Sequence, residues 1–135
     1  MIPKSDYKHE TIPVIKKVRR GEIYIAQITS DHLVGSEQSG MRPVLILQND
    51  IGNRYSPTTI VAFITSSNKK MDLPIHALLP KHISGLSYDS VVLLEQIRTI
   101  DKKRLLKRVS LLSPEFMEII NEKILISLGI HPNYK

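Results

Sequence analysis

Cysteine is absent from the 135 residues, which excludes disulfides, thiolate nucleophiles and cysteine-held metals. Tryptophan is absent too, and two Phe stand beside five Tyr. Platforms for stacking flat ligands are therefore few and fall to Tyr24, Tyr55 or Tyr88. No apolar run approaches the roughly 18 residues of a membrane span, and the first residues hold no continuous apolar stretch of the secretory-leader kind. No membrane association and a cytoplasmic location are the expectation. The five histidines, His9, His32, His76, His82 and His131, show no His-x-His or paired His/Asp spacing. No metal ligand set and no cofactor is expected, and phosphate-loop, dinucleotide and serine-elbow signatures are missing as well. His76, within Pro74 to Leu78, reads as a half-exposed strand residue rather than an acid or base.

What is present is ordinary in amount and uneven in placement. The length suits one domain with one substantial core, and 41% hydrophobic with 24% charged residues is normal for a globular chain. The net charge of +6 gathers in two places. Residues 1–20 hold six Lys and Arg against two acids, a net +4, and the knot from Asp101 to Arg108 holds five against one, again +4. Such patches attract phosphate backbones or acidic proteins, and a merely solvated basic surface has the same composition.

Residues 1–17 mix Pro3, Pro13 and scattered charge without a period, and read as a poorly ordered basic extension to a single domain over 18–135. Strands are expected at 22–28, 44–47, 59–65, 74–79, 90–94, 96–100 and 109–112, each apolar or β-branched and bounded by turn residues. Pro74 and Pro80 mark the fourth of these as an edge. Gln48 to Pro57 and Ile83 to Asp89 read as turns, and Thr29 to Gly40 as a loop long enough to serve as a lid. One helix is clearly signalled. Ser113 is its N-cap, Pro114 its first residue, Glu115 and Glu118 favour its positive end, and Gly129 ends it. Met117, Ile120, Ile124 and Leu128 form one apolar stripe, while Ile119 and Ile126 form a second ridge that widens burial or meets another subunit. The fold class is mainly β with a C-terminal α-helix, arranged as a small, partly open antiparallel barrel.

The candidate chemistry lies at strand ends. Pro43 disfavours helix at Arg42, so this arginine sits where the backbone enters a strand. Its planar, permanently charged fork can hold two phosphate oxygens, or form a surface ion pair, for instance with Glu37. Thr65 ends a β-branched run, where its hydroxyl can face a cleft or simply pack.

The ordered set Arg20-Gly21-Glu22-Ile23-Tyr24, Gly35-Ser36-Glu37-Gln38, Arg42-Pro43-Val44, Gln48-Asn49-Asp50, Pro57-Thr58 and Glu95-Gln96-Ile97-Arg98-Thr99-Ile100-Asp101 resembles the MazF/PemK family of toxin endoribonucleases from Val18 to about Leu128. The resemblance implies an SH3-like barrel and a metal-independent, sequence-specific cleaver of single-stranded RNA belonging to a type II toxin-antitoxin system. It further implies a homodimer neutralised by an acidic MazE-like antitoxin, with operator DNA a further partner of the toxin-antitoxin complex. Carried onto this chain, Arg42 and Thr65 are the catalytic residues, and Ser36, Glu37, Gln38 and Gln96 contact RNA. Glu37 is also a candidate base. Ser39 stands where relatives often have glycine, which stiffens the loop. The alternative from another class is a toxin of similar fold that poisons a protein such as DNA gyrase, as the CcdB toxins do; fold alone does not separate the two.

Overall fold

A computed structural model describes residues 17–28, 40–66 and 73–133. Residues 1–16 of the basic extension and 29–39 of the proposed lid lie outside the described residues. The elements in order are β1 (Glu22–Gln27), β2 (Met41–Ile46), α1 (Asp50–Tyr55), β3 (Thr58–Thr65), β4 (His76–Leu79), α2 (Lys81–Ser84), β5 (Ser90–Asp101), β6 (Leu105–Leu111) and α3 (Pro114–Ser127). A 3-10 turn, Lys102–Arg104, joins β5 to β6. Six strands form one sheet in the order β4-β5-β3-β2-β1-β6, every neighbouring pair antiparallel.

Both faces of this sheet are buried, for different reasons. On one face Ile23, Leu45, Ala62, Ile64, Val92 and Leu94 pack under Leu112, Met117 and Ile120 at the start of α3. On the other, Tyr24, Ala26, Val44, Ile46, Val61, Phe63, Ile100 and Leu105 cluster with Val18 and Ile28, and no described helix covers them. Bulges between β1 and β6 and between β3 and β5 bend and twist the strands that carry this face. That is the partly open barrel the strand pattern implies.

Helix α3 begins and ends where its caps dictate. Ser113 accepts a hydrogen bond from the Phe116 N–H at 3.1 Å, and Gly129 adopts φ 75° just past the last turn. Its stripe is shorter than expected: Met117 and Ile120 are buried, but Leu128 is 60% exposed. Gly21, at φ 95°, turns the approach to β1 so that its N–H reaches Ile46 O and its C=O accepts from Leu112 N. The positive φ favours glycine there.

A short helix fills most of one stretch expected as a turn, Gln48 to Pro57, and only the first two residues of the other, Ile83 to Asp89. In Gln48 to Pro57, Asn49 caps α1 by accepting from Gly52 N at 2.8 Å, and buried Asn53 organises the rest. Its Oδ1 accepts from Gln48 Nε2 at 3.0 Å and Thr59 Oγ1 at 2.7 Å, while its Nδ2 donates to Gln48 O at 2.8 Å. Lys81–Ser84 makes one turn closed by Gly85 in the left-handed region.

The basic knot is partly internal. Lys102 is buried and donates to Asn53 O, Arg108 pairs with buried Glu22 at 2.6 Å, and Arg104 donates to Gln27 O. Burial pushes the Lys102 ammonium below its ordinary value. The unfolded chain therefore holds that proton to higher pH than the folded one, so the cost of the buried charge is full at low pH. It falls away as pH rises from the lowered value towards about 10.4. Urea midpoints of the wild type and Lys102→Met, compared at several values between pH 7 and 10.5, should move in the wild type's favour with rising pH. A constant difference would contradict the assignment.

Candidate active site

The site is built by strand register and one proline. Leu47 N donates to Ile60 O at 2.8 Å, so the odd-numbered positions of β2 direct their N–H groups towards β3. Pro43 has none to offer, and the recorded β2–β3 pairing stops at Val44 opposite Phe63. The ladder thus ends two residues short of Arg42. By strand alternation Arg42 and Thr65, both half-buried, belong to the face that carries Val44 and Phe63. Both residues lie at strand ends, Arg42 near the start of β2 and Thr65 at the end of β3.

Phe63 fixes the guanidinium. The Arg42 Cζ stands 4.6 Å from the centroid of the Phe63 ring, an attraction between cation and ring quadrupole that also restricts the side chain's rotamers. A second guanidinium, that of Arg98, approaches the same ring at 6.0 Å. Arg98 is exposed and lies opposite Val61, so both arginines occupy one face and flank one aromatic. Sequence reasoning missed Arg98 as a site residue. Its signal was the period-two alternation Gln96, Arg98, Ile100, which ties it to the face of buried Ile100.

Strand β5 supplies the remaining groups through a bulge. From Leu93 to Ile97 it advances four residues while β3 steps from Phe63 to Ala62. Gln96, exposed, lies within this bulge beside Glu95. Glu95 reaches His76, whose Nε2 lies 3.1 Å from each carboxylate oxygen. His76 is buried, contrary to the half-exposed position expected; β4 pairs with β5 and sets it opposite Leu93, with Glu95 against its ring. Of the other expected contacts, Ser36, Glu37 and Gln38 lie outside the described residues, as does Ser39. Among the stacking candidates Tyr24 is buried in the sheet, and Tyr55 and Tyr88 are exposed. Burial and the nearby Glu22 carboxylate push the Tyr24 hydroxyl up, the Arg108 cation opposing them. Among the described residues no three His, Asp or Glu gather in a metal-holding group, and no described helix is long and apolar enough to cross a membrane.

A family model described as PemK-like, MazF-like toxin of type II toxin-antitoxin system matches residues 19–128. The chain belongs to this family. It is 50% identical over 113 residues to Endoribonuclease EndoA of Bacillus subtilis, covering 84% of this chain and 96% of that protein. To Endoribonuclease MazF of Staphylococcus saprophyticus it is 50% identical over 114 residues, 84% of this chain and 93% of the relative. Among solved structures, a MazE-MazF crystal structure from Deinococcus radiodurans superposes with a TM-score of 0.69 at 25% identity, covering 86% of this chain and 99% of that one. An endoribonuclease in complex with its cognate antitoxin from a mycobacterial species gives 0.65 at 22% identity, with 84% and 97% covered; at that identity it speaks for the fold alone.

Proposed function

We propose that this chain is the endoribonuclease toxin of a type II toxin-antitoxin pair, cleaving single-stranded RNA at a short sequence, with Arg42 and Thr65 as its catalytic residues. The observation that supports the reading is the Arg42 guanidinium seated on Phe63, on the sheet face to which strand alternation also assigns Thr65. Cleavage by the RNA's own 2'-hydroxyl needs charge neutralised on the phosphorus oxygens, the attacking hydroxyl oriented and protonated groups managed at both ends. A preorganised arginine fork supplies the first, commonly the largest contribution. The Thr65 hydroxyl orients the nucleophile or donates to a phosphate oxygen. Arginine's own pKa is too high for it to serve as the base at neutral pH. Glu37 is assigned that role, and Ser36, Glu37, Gln38 and Gln96 the contacts that hold the RNA.

None of the assigned roles calls for a metal. Cleavage of a long unstructured RNA should therefore persist in excess chelator, leaving 2',3'-cyclic phosphate or 3'-phosphate and 5'-hydroxyl ends. Strict dependence on added Mg²⁺ would contradict the metal-free account, and binding with a steep salt dependence but no cleavage would favour a mere nucleic-acid binder. The partners are an acidic antitoxin, whose extended or helical tail lies along the basic groove and excludes RNA, and a second copy of the chain. For the second copy the support is the exposed ridge at Ile119 on α3. Sedimentation should show a dimer that Ile119→Glu weakens; an unchanged dimer would place the interface elsewhere. The cytoplasm is the compartment in which such a toxin meets its RNA.

A further inference from the structure

We propose that Glu95, held in place by His76, reads a base of the RNA within a few nucleotides of the scissile bond, preferring a base that offers an exocyclic amino group over uracil. The inference rests on the nuclease reading of the Arg42 site. Register places the pair on the catalytic face: Val44 lies opposite Phe63, Phe63 opposite Leu93, and Leu93 opposite His76. His76 is thus two strands from Phe63, about 10 Å at ~4.8 Å per strand, a span of roughly three stacked nucleotides at ~3.4 Å each and fewer when the chain is extended.

The two side chains have unequal environments, and this decides their roles. The His76 side chain is 7% exposed, whereas that of Glu95 is 36% exposed. Nε2 bonds both carboxylate oxygens at 3.1 Å, so the imidazole grips the carboxylate from the buried side and leaves outward lone pairs free to accept. His76 Nδ1 is buried and has no hydrogen-bond partner among the described residues. An apolar residue at this core position would avoid that cost, so packing alone does not account for a histidine. The bulge that inserts Glu95 and Gln96 into β5 is the kind of irregularity that re-aims a side chain beside a site.

Charge then selects the ligand. Arg42 and Arg98 share the Phe63 ring and suit phosphates. A carboxylate on the same face repels phosphates and accepts only N–H or O–H donors, so it must face a base edge rather than the backbone. Adenine and cytosine present amino groups to such an acceptor. Uracil flanks its single N–H with two carbonyl oxygens that a carboxylate disfavours. Glu95 is the reading group, and His76 a positioning residue that acts through it.

The experiment maps cleaved ends on a randomised single-stranded RNA pool for the wild type, Glu95→Gln, His76→Gln, His76→Ala and Arg42→Ala, with thermal melts establishing that each is folded. Glu95→Gln should still cut but lose its discrimination against uracil at one position by about tenfold or more, chiefly through KM on the preferred site. His76→Gln, whose amide can replace the Nε2 donor, should keep the preference, and His76→Ala should relax it. An unchanged sequence profile for folded Glu95→Gln, with Arg42→Ala inactive, would overturn the base-reading role and leave the nuclease reading standing. Persistent cutting by Arg42→Ala would instead remove the site on which the inference depends. Should the His76 variants fail to fold, Glu95→Gln alone decides the matter.

Discussion

Replacing Arg42 by Ala should lower RNA cleavage by about 10³-fold or more, some 4 kcal/mol of lost transition-state stabilisation, while leaving thermal unfolding almost unchanged. Catalysis is so sensitive because the guanidinium is already fixed: seated 4.6 Å from the Phe63 centroid, it meets the phosphate with little reorganisation. Stability is insensitive because the side chain is half-buried at an open strand end, and an arginine-ring contact contributes only about 0.5–1 kcal/mol. Arg42→Lys keeps the charge but loses the fork and the stacking, and should recover only part of the rate. Thr65→Ala should cost about 10²-fold, the scale of one lost donor, and Thr65→Ser, which keeps the hydroxyl, much less. These rates are measured on a defined oligonucleotide with a calorimetric melt of each variant. Near-wild-type cutting by folded Arg42→Ala would remove the electrostatic account altogether.

How far this pair could be read beforehand depends on the range of the signals. Pro43 beside Arg42, and a β-branched run ending on Thr65, are local features, and both placed their residues at strand ends. Ser113, Pro114 and Gly129 marked α3 for the same reason: caps act within one turn of the residue that makes them. Gln48 to Pro57 misled because Asn, Asp and Gly favour turns and helix caps alike, and a six-residue helix is too short to show a period. Long-range partners were out of reach. Lys102 belonged to a charge run by composition, yet its amine is buried against the carbonyl of Asn53, 49 residues earlier. His76 and Glu95, 19 apart, meet only because β4 adds to the edge of β5 and β5 bulges where it does. Phe63 looked like a core residue, and it is one, but its ring also organises Arg42 and Arg98. Nothing local distinguishes those two duties.

The largest stability effect should come from Asn53, far from the chemistry. This residue is 1% exposed and closes a polar knot that a β-rich core could not otherwise tolerate. Its Oδ1 serves Gln48 and Thr59, its Nδ2 serves Gln48 O, and its backbone carbonyl receives Lys102. Asn53→Ala keeps the last of these and deletes the others, leaving the buried Thr59 hydroxyl and the half-buried Gln48 carbonyl without Asn53 beside a small void. Each abandoned buried polar group costs about 1–3 kcal/mol, so a loss of about 4 kcal/mol is expected. At a urea slope of about 2 kcal/mol/M, that moves the midpoint down by about 2 M. Thr59→Val alone should cost less, because it removes the donor together with its need for a partner. Below its transition Asn53→Ala should still cut RNA at close to the normal rate, since Asn53 adjoins Thr59 near the start of β3 and Thr65 ends it. A variant as stable as the wild type would show the knot to be dispensable. One that is folded but inactive would mean that the Gln48-Asn49-Asp50 corner contributes to the catalytic face as well as to the fold.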